Sequence, residues 1–228
     1  MASTGTRVLA VRPARGVVAV LRLPGARGDA EGEGLHPEER ALMRGVPPAR
    51  HRDFAAGRAA AADALRLLGR AGPVLREGRR PRFPAGTRGS ISHCRGAAAA
   101  CLAATRPDVS AVGVDVERVG RLSQEAAGLV CTPAELALVR GGAAGARLLT
   151  VLFSAKEAFY KAATALDLPR EPVFQDLEVL PDAGNGNGLR LAPAPGLLPG
   201  GCTVRGQVRH EGPYVWTTVL LRAGDGPR

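Results

Sequence analysis

The sequence predicts a mixed α/β (α+β) protein of two similar halves, each a small antiparallel sheet with a long helix. Three observations carry this. Hydrophobic residues make up 45% of the 228-residue chain, enough to bury one large core or two small ones. Short apolar runs recur between Gly- and Pro-rich turns, the mark of strands, and two longer stretches place apolar residues at helical spacing. The order strands, helix, strands then appears on both sides of Arg106-Pro107-Asp108. That boundary divides residues 1–107 from 108–228. The duplication is one of element order, without a sequence repeat.

In the first half, Val17 to Leu23 reads as a strand, followed by a Gly-rich loop from Pro24 to Gly34. Leu35 to Arg44 reads as a short helix, with Pro37 early and Glu38 and Glu39 in its first turn. After Pro47-Pro48 a longer helix is expected over Ala49 to Leu68, with Phe54, Ala61, Ala62, Leu65 and Leu68 at core spacing and Gly69 as its stop. Arg50, Arg52 and Arg58 decorate it, as a solvated face or as ligand contacts. Gly78 to Gly89 reads as a basic, turn-rich connector. Ser90 to His93, a turn at Arg95-Gly96 and Ala97 to Ala104 form a predicted hairpin.

In the second half, Val109 to Glu117 alternates as a strand and ends in Asp115-Val116-Glu117. Thr132-Pro133-Ala134-Glu135 is a helix start with its N-cap, proline at N1 and glutamate at N3. Leu148 to Ala165 carries the second long helix. Within it, Phe153-Ser154-Ala155-Lys156-Glu157-Ala158-Phe159-Tyr160-Lys161 reads as opening turns, Ser154 capping and Glu157 completing a capping box. Phe174 to Leu180 is expected as a strand, Ala183 to Gly201 as a loop, and Val204 to Arg209 with Tyr214 to Leu221 as a closing antiparallel pair.

The chain carries 31 basic against 21 acidic residues, a net charge of +10. This suits an anionic partner: nucleic acid, a phosphorylated small molecule or an acidic protein. Cys94, Cys101, Cys131 and Cys202 form no CxxC and read as reduced thiols of a cytoplasmic protein. The N-terminal apolar run is broken by Arg22, so neither a signal peptide nor a membrane span is expected.

Lys156 and Lys161 are the only lysines in this arginine-rich chain. Their retention suggests sites needing a compact point donor instead of a planar guanidinium fork. Glu157 and Lys161, four apart, share a helical face, which at its plainest is one surface ion pair. On the strand, Asp115 and Glu117 point to one face. They are either a solvated strand end or, with Glu157, a three-carboxylate site for a hard cation such as Mg²⁺. Zinc is disfavoured for want of His/Cys spacing. Ser92 and His93, neighbours on a strand, point to opposite faces, which excludes a nucleophile–base pair; beside arginines they suit phosphate binding.

Five motifs in order resemble a family. They are Arg52-Asp-Phe54-Ala-Ala-Gly57-Arg58, Arg79-Arg-Pro81-Arg-Phe83-Pro84, Gly89-Ser-Ile-Ser-His93, Gly113-Val-Asp115-Val-Glu117 and the Phe153 to Lys161 stretch. The chain is similar to the 4′-phosphopantetheinyl transferases of the surfactin-type class, in the subgroup resembling the enterobactin-synthase transferase component. The resemblance implies transfer of the phosphopantetheine arm of coenzyme A to a serine of an acyl or peptidyl carrier protein, releasing adenosine 3′,5′-bisphosphate. It implies two pseudo-symmetric halves with the active site at their interface. Coenzyme A motifs would lie in the first half and metal and catalytic motifs in the second. Asp115, Glu117 and Glu157 would hold Mg²⁺ (Mn²⁺ as a substitute), and Glu157 or a metal-bound water would take the serine proton. Lys161 would neutralise the leaving phosphate. Arg58, Arg79, Arg80, Ser92 and His93 would contact coenzyme A phosphates, with Arg52 and Lys156 nearby. Val116 departs from the metal motif's middle ligand and leaves that position to water.

The resemblance further implies a monomer of secondary metabolism without nucleic acid or membrane partners, and leaves fatty acid, polyketide and nonribosomal peptide carriers open. Acidic carriers would also account for the positive charge. The alternatives are a Mg²⁺-dependent phosphohydrolase acting on a nucleotide-like substrate with the same carboxylates, and an arginine-rich nucleic-acid-binding protein. The second fits poorly, since aromatics for stacking are only 4% of residues.

Overall fold

The computed structural model describes residues 6–23, 34–94, 98–139, 141–181 and 186–224. The chain divides into two compact units, Met1–Pro107 and Asp108–Arg228. Both are mixed α/β with antiparallel sheets.

In the first unit, β1 (Arg7–Ala14) and β2 (Val17–Leu23) form a hairpin, turning at Gly16, whose φ of 70° favours glycine. The helices α1 (Pro37–Met43) and α2 (His51–Leu67) follow. A small hairpin of β3 (Leu75–Glu77) and β4 (Arg80–Arg82) comes next, then β5 (Arg88–Cys94) and β6 (Ala98–Ala104). The main sheet has the order β1-β2-β6-β5. The helix α2 covers it through Ala60, Ala61, Ala64 and Leu65, packed with Val18, Val20, Ala99, Cys101 and Ala103. These small side chains let helix and sheet approach closely. At Gly57 an added Cβ would lie 2.8 Å from Ile91 Cγ2, so α2 crosses β5 at a position that has no room for a side chain.

The three strands of this unit absent from the sequence reading, β1, β3 and β4, were hidden by arginine. In β1, Arg7 and Arg12 interrupt the apolar alternation, which an edge strand tolerates because much of it is exposed. The β3–β4 hairpin is built from three-residue strands rich in arginine, with Pro81 inside β4 and Gly78 turning at φ 58°. The expected β5–β6 pair is present in full register, Arg88 to Cys94 against Ala104 to Ala98. The loop expected over Pro24 to Gly34 lies almost wholly outside the described residues, as does the turn at Arg95-Gly96.

The second unit opens with β7 (Val109–Arg118), then α3 (Ala127–Val130), α4 (Pro133–Leu136) and α5 (Gly142–Ala163). It closes with β8 (Leu177–Pro181), β9 (Gly188–Pro193), β10 (Thr203–Glu211) and β11 (Tyr214–Arg222). Its sheet has the order β7-β11-β10-β9-β8, and α5 packs on it through Leu149, Leu152, Ala155, Ala158, Phe159 and Ala162.

Three expectations are corrected here. The helix α5 starts at Gly142 behind an N-cap at Gly141, so Ser154 lies deep within it and caps nothing. The run from Ala143 to Leu152 is rich in good helix formers and carries the helix past it. Within the expected loop, of which residues 182–185 are not described, β9 pairs with both β8 and β10. Phe174–Asp176 form a 3₁₀ turn before β8 instead of its first residues.

All four cysteines are free thiols, three of them buried. Among the described residues, no helix is long and apolar enough to cross a membrane.

Candidate functional site

In the second unit the site begins with a missing side chain. A Cβ on Gly113 would lie 1.8 Å from the Ala158 carbonyl oxygen and 2.9 Å from the Ala162 nitrogen. Only glycine lets β7 press directly on the backbone of α5. Two residues on, and on the same face, Asp115 is buried and meets the next helical turn. Lys161 Nζ lies 2.7 Å from Asp115 Oδ1 and donates to the Val114 carbonyl at 3.2 Å.

Glu117 extends the face, its carboxylate 3.1 Å from Arg121 Nη1. Burial, then the charge of Asp115, raises the Glu117 pKa to about 7, with Glu157 adding and Arg121 and Lys161 opposing. Burial also raises Glu157, where Lys161 opposes and Asp115 adds. The three carboxylates predicted together therefore feel one another. Among the described residues, no three His, Cys, Asp or Glu groups converge as placed to hold a metal ion; Lys161 and Arg121 meet the acids instead. The donor set is all carboxylate oxygen, and burial with the neighbouring acids raises Glu117 and Glu157. That chemistry fits a hard divalent cation, which would relieve the repulsion.

Lys156, expected near coenzyme A, is elsewhere. Its side chain is 1% exposed and points into the unit, with Nζ 2.7 Å from Glu135 Oε2. The same ammonium donates to the Phe174 carbonyl at 2.8 Å and the Leu177 carbonyl at 2.7 Å. With its donors occupied and no surface to offer, it is a structural anchor. Lysine suits this cage because a compact ammonium spends its protons on separate acceptors around one point. Sequence reading gave Glu135 only a capping role. The missed signal was that a buried lysine requires a carboxylate, and the cap glutamate was available.

In the first unit a cleft of about 410 Å³ is lined by Arg50, Arg58, Arg76, Arg79, Arg80 and His93, among others. Arg58 is buried, with its guanidinium 4.5 Å over the Phe54 ring. Its Nη2 donates to the Leu75 carbonyl at 3.3 Å, and burial lowers its pKa from the ordinary arginine value. His93 Nδ1 lies 3.6 Å from Asp53 Oδ2. Four predicted coenzyme A contacts, Arg58, Arg79, Arg80 and His93, are thus gathered at one basic cleft. Two are not among its lining residues: Arg52 is exposed on α2, and Ser92 is buried on β5. Arg76 joins from β3, a strand absent from the sequence reading, and Arg50 from the turn before α2.

Comparison with known proteins gives the same two-part picture. The 4′-phosphopantetheinyl transferase N-terminal domain matches residues 38–103, and the 4′-phosphopantetheinyl transferase superfamily model matches residues 111–217. The 4′-phosphopantetheinyl transferase Svp of Streptomyces mobaraensis is 36% identical over 169 residues, 71% of this chain and 68% of that protein. Enterobactin synthase component D of Salmonella typhi is 33% identical over 181 residues, 78% of this chain and 74% of that protein. Both motif-bearing segments are covered by these matches, and the chain belongs to the 4′-phosphopantetheinyl transferase superfamily.

Proposed function

We propose that the chain transfers the 4′-phosphopantetheine arm of coenzyme A to a serine of an acyl or peptidyl carrier protein, in a Mg²⁺-dependent reaction. The observation that carries this is the buried Asp115 met by Lys161, with Glu117 and Glu157 raised beside it. Asp115, Glu117 and Glu157 would hold the ion, which when bound supplies positive charge to the pyrophosphate of coenzyme A.

The serine oxygen forms a bond to the phosphorus that bears the pantetheine arm. The bond from that phosphorus to the bridging oxygen breaks, and adenosine 3′,5′-bisphosphate leaves. Glu157, raised toward the range of a useful base by burial, takes the serine proton. Lys161 can turn from Asp115 to the departing phosphate, where a point charge offsets what develops. The arginines of the first unit's cleft, with His93, suit coenzyme A phosphates, and the guanidinium of Arg58 is aligned by Phe54 before any ligand arrives.

Intact-mass measurement of an apo carrier protein incubated with this protein, coenzyme A and Mg²⁺ tests the reading. A gain of about 340 Da, the covalent arm, is expected, and should vanish with EDTA or Asp115→Ala. Consumption of coenzyme A without a mass gain would instead indicate hydrolysis.

A further inference from the structure

Directly across the sheet from Asp115 stands Thr217 of β11. Opposed residues on antiparallel strands share a face with Cβ atoms about 4.5–5.5 Å apart, so Thr217 presents its side chain beside the Asp115 carboxylate. Thr217 is 0% exposed. Its hydroxyl has no hydrogen-bond partner among the described residues.

A buried hydroxyl without a partner is costly, and a same-shaped apolar side chain would remove that cost. The chain uses that alternative on either side. Val215 and Val219, two residues away on the same face, are also fully buried, opposite Glu117 and Gly113. Threonine is thus retained at the one of these three positions that faces Asp115. For now Lys161 occupies Asp115 Oδ1.

We infer that Thr217 is a positioning residue for Asp115: its hydroxyl donates to the carboxylate once Lys161 turns to the substrate phosphate. The inference rests on the metal reading of Asp115 given above. Lys161 can be in one place only, and when its ammonium leaves Asp115 Oδ1 the hydroxyl opposite is placed to help hold the carboxylate's orientation. Thr217 donates from a rigid strand, by rotation of one side-chain bond.

The test is Mn²⁺ binding in the presence of coenzyme A, read from the EPR signal of free Mn²⁺, beside thermal unfolding of the metal-free proteins. Thr217→Val is expected to weaken Mn²⁺ binding about tenfold, as for other groups that orient metal ligands, while the melting temperature stays or rises. Thr217→Ser, which keeps the hydroxyl, should restore most of the affinity. In turnover, Thr217→Val should lower kcat and leave the KM for coenzyme A in place. Wild-type Mn²⁺ affinity in Thr217→Val would overturn the inference, as would a lowered melting temperature, because the hydroxyl would then serve the fold. If wild type and Asp115→Ala bind Mn²⁺ alike, the metal reading fails and this inference with it.

Discussion

Both units fasten a short helix with the same device and then put it to different use. In the first, Glu39 accepts from the His36 N–H at the start of α1 and, through its other oxygen, from the Val74 N–H at 2.7 Å. In the second, Glu135 accepts from the Thr132 N–H at the start of α4 and from the Val179 N–H at 2.6 Å. Each cap glutamate thus pins its helix to a segment far along the chain. Each also acts on a cation of the unit's long helix that donates to a carbonyl near that segment. Glu39 acts through space on Arg58, which reaches Leu75. Glu135 meets Lys156 directly, and Lys156 reaches Leu177. The difference lies in what the cation has left to give. Arg58 keeps part of a planar fork for a cleft, whereas Lys156 is consumed by the interior. A buried cation on a long helix is therefore not by itself a sign of ligand binding; its remaining donors decide.

The comparison breaks most visibly in stability. Lys156→Met strands the Glu135 carboxylate in a dry site, and loss of one partner of a buried pair costs about 3–5 kcal/mol. Denaturant unfolding should show it, with Lys156→Met/Glu135→Gln recovering part of the loss. A neutral Lys156→Met would refute the anchor role. Gly113→Ala should rank next, at about 3 kcal/mol or more, since the added carbon would overlap helix backbone that cannot step aside. Arg58→Lys should behave in the opposite way. Unfolding should change by about 1 kcal/mol or less, while the KM for coenzyme A rises about tenfold through loss of the stacked fork. Equal stability losses for Lys156→Met and Arg58→Met would erase the distinction between the two units.

Much of this was legible in the sequence, for reasons that also explain what was not. Asp115 and Glu117 could be placed on one face because strand alternation is strict, and β7 with α5 brought Lys161 to them. The raised pKa of Glu117 could not be read, because it depends on burial and on Asp115 against the opposing Arg121 and Lys161. Lys156 was misplaced because residues adjacent in a helical motif were given one destination, while neighbours on a helix diverge by about 100°. The basic cleft was half legible. Arg58, Arg79, Arg80 and His93 came from motifs, but Arg76 depended on a three-residue hairpin too short and too charged to show any periodicity.

The smallest expected effect separates charge repulsion from packing in the carboxylate group. Glu117 is ordinarily ionised above about 4.5 and holds its proton to about 7 in the folded, metal-free protein. Between these values the unfolded chain has released a proton that the folded one retains, so stability falls as pH rises and levels off above about 7. Glu117→Gln, neutral throughout, removes that fall. At pH 8 it should be more stable than wild type by about 1 kcal/mol, after discounting for solvent screening near Arg121. That corresponds to about 2–4 °C in melting temperature for a chain of this size. At pH 4 the two should coincide. Mg²⁺ should raise the wild-type melting temperature more at pH 8 than at pH 5, where protons compete for the same oxygens. A Glu117→Gln gain that is equal at pH 4 and pH 8 would assign the effect to packing and leave the raised carboxylate unsupported.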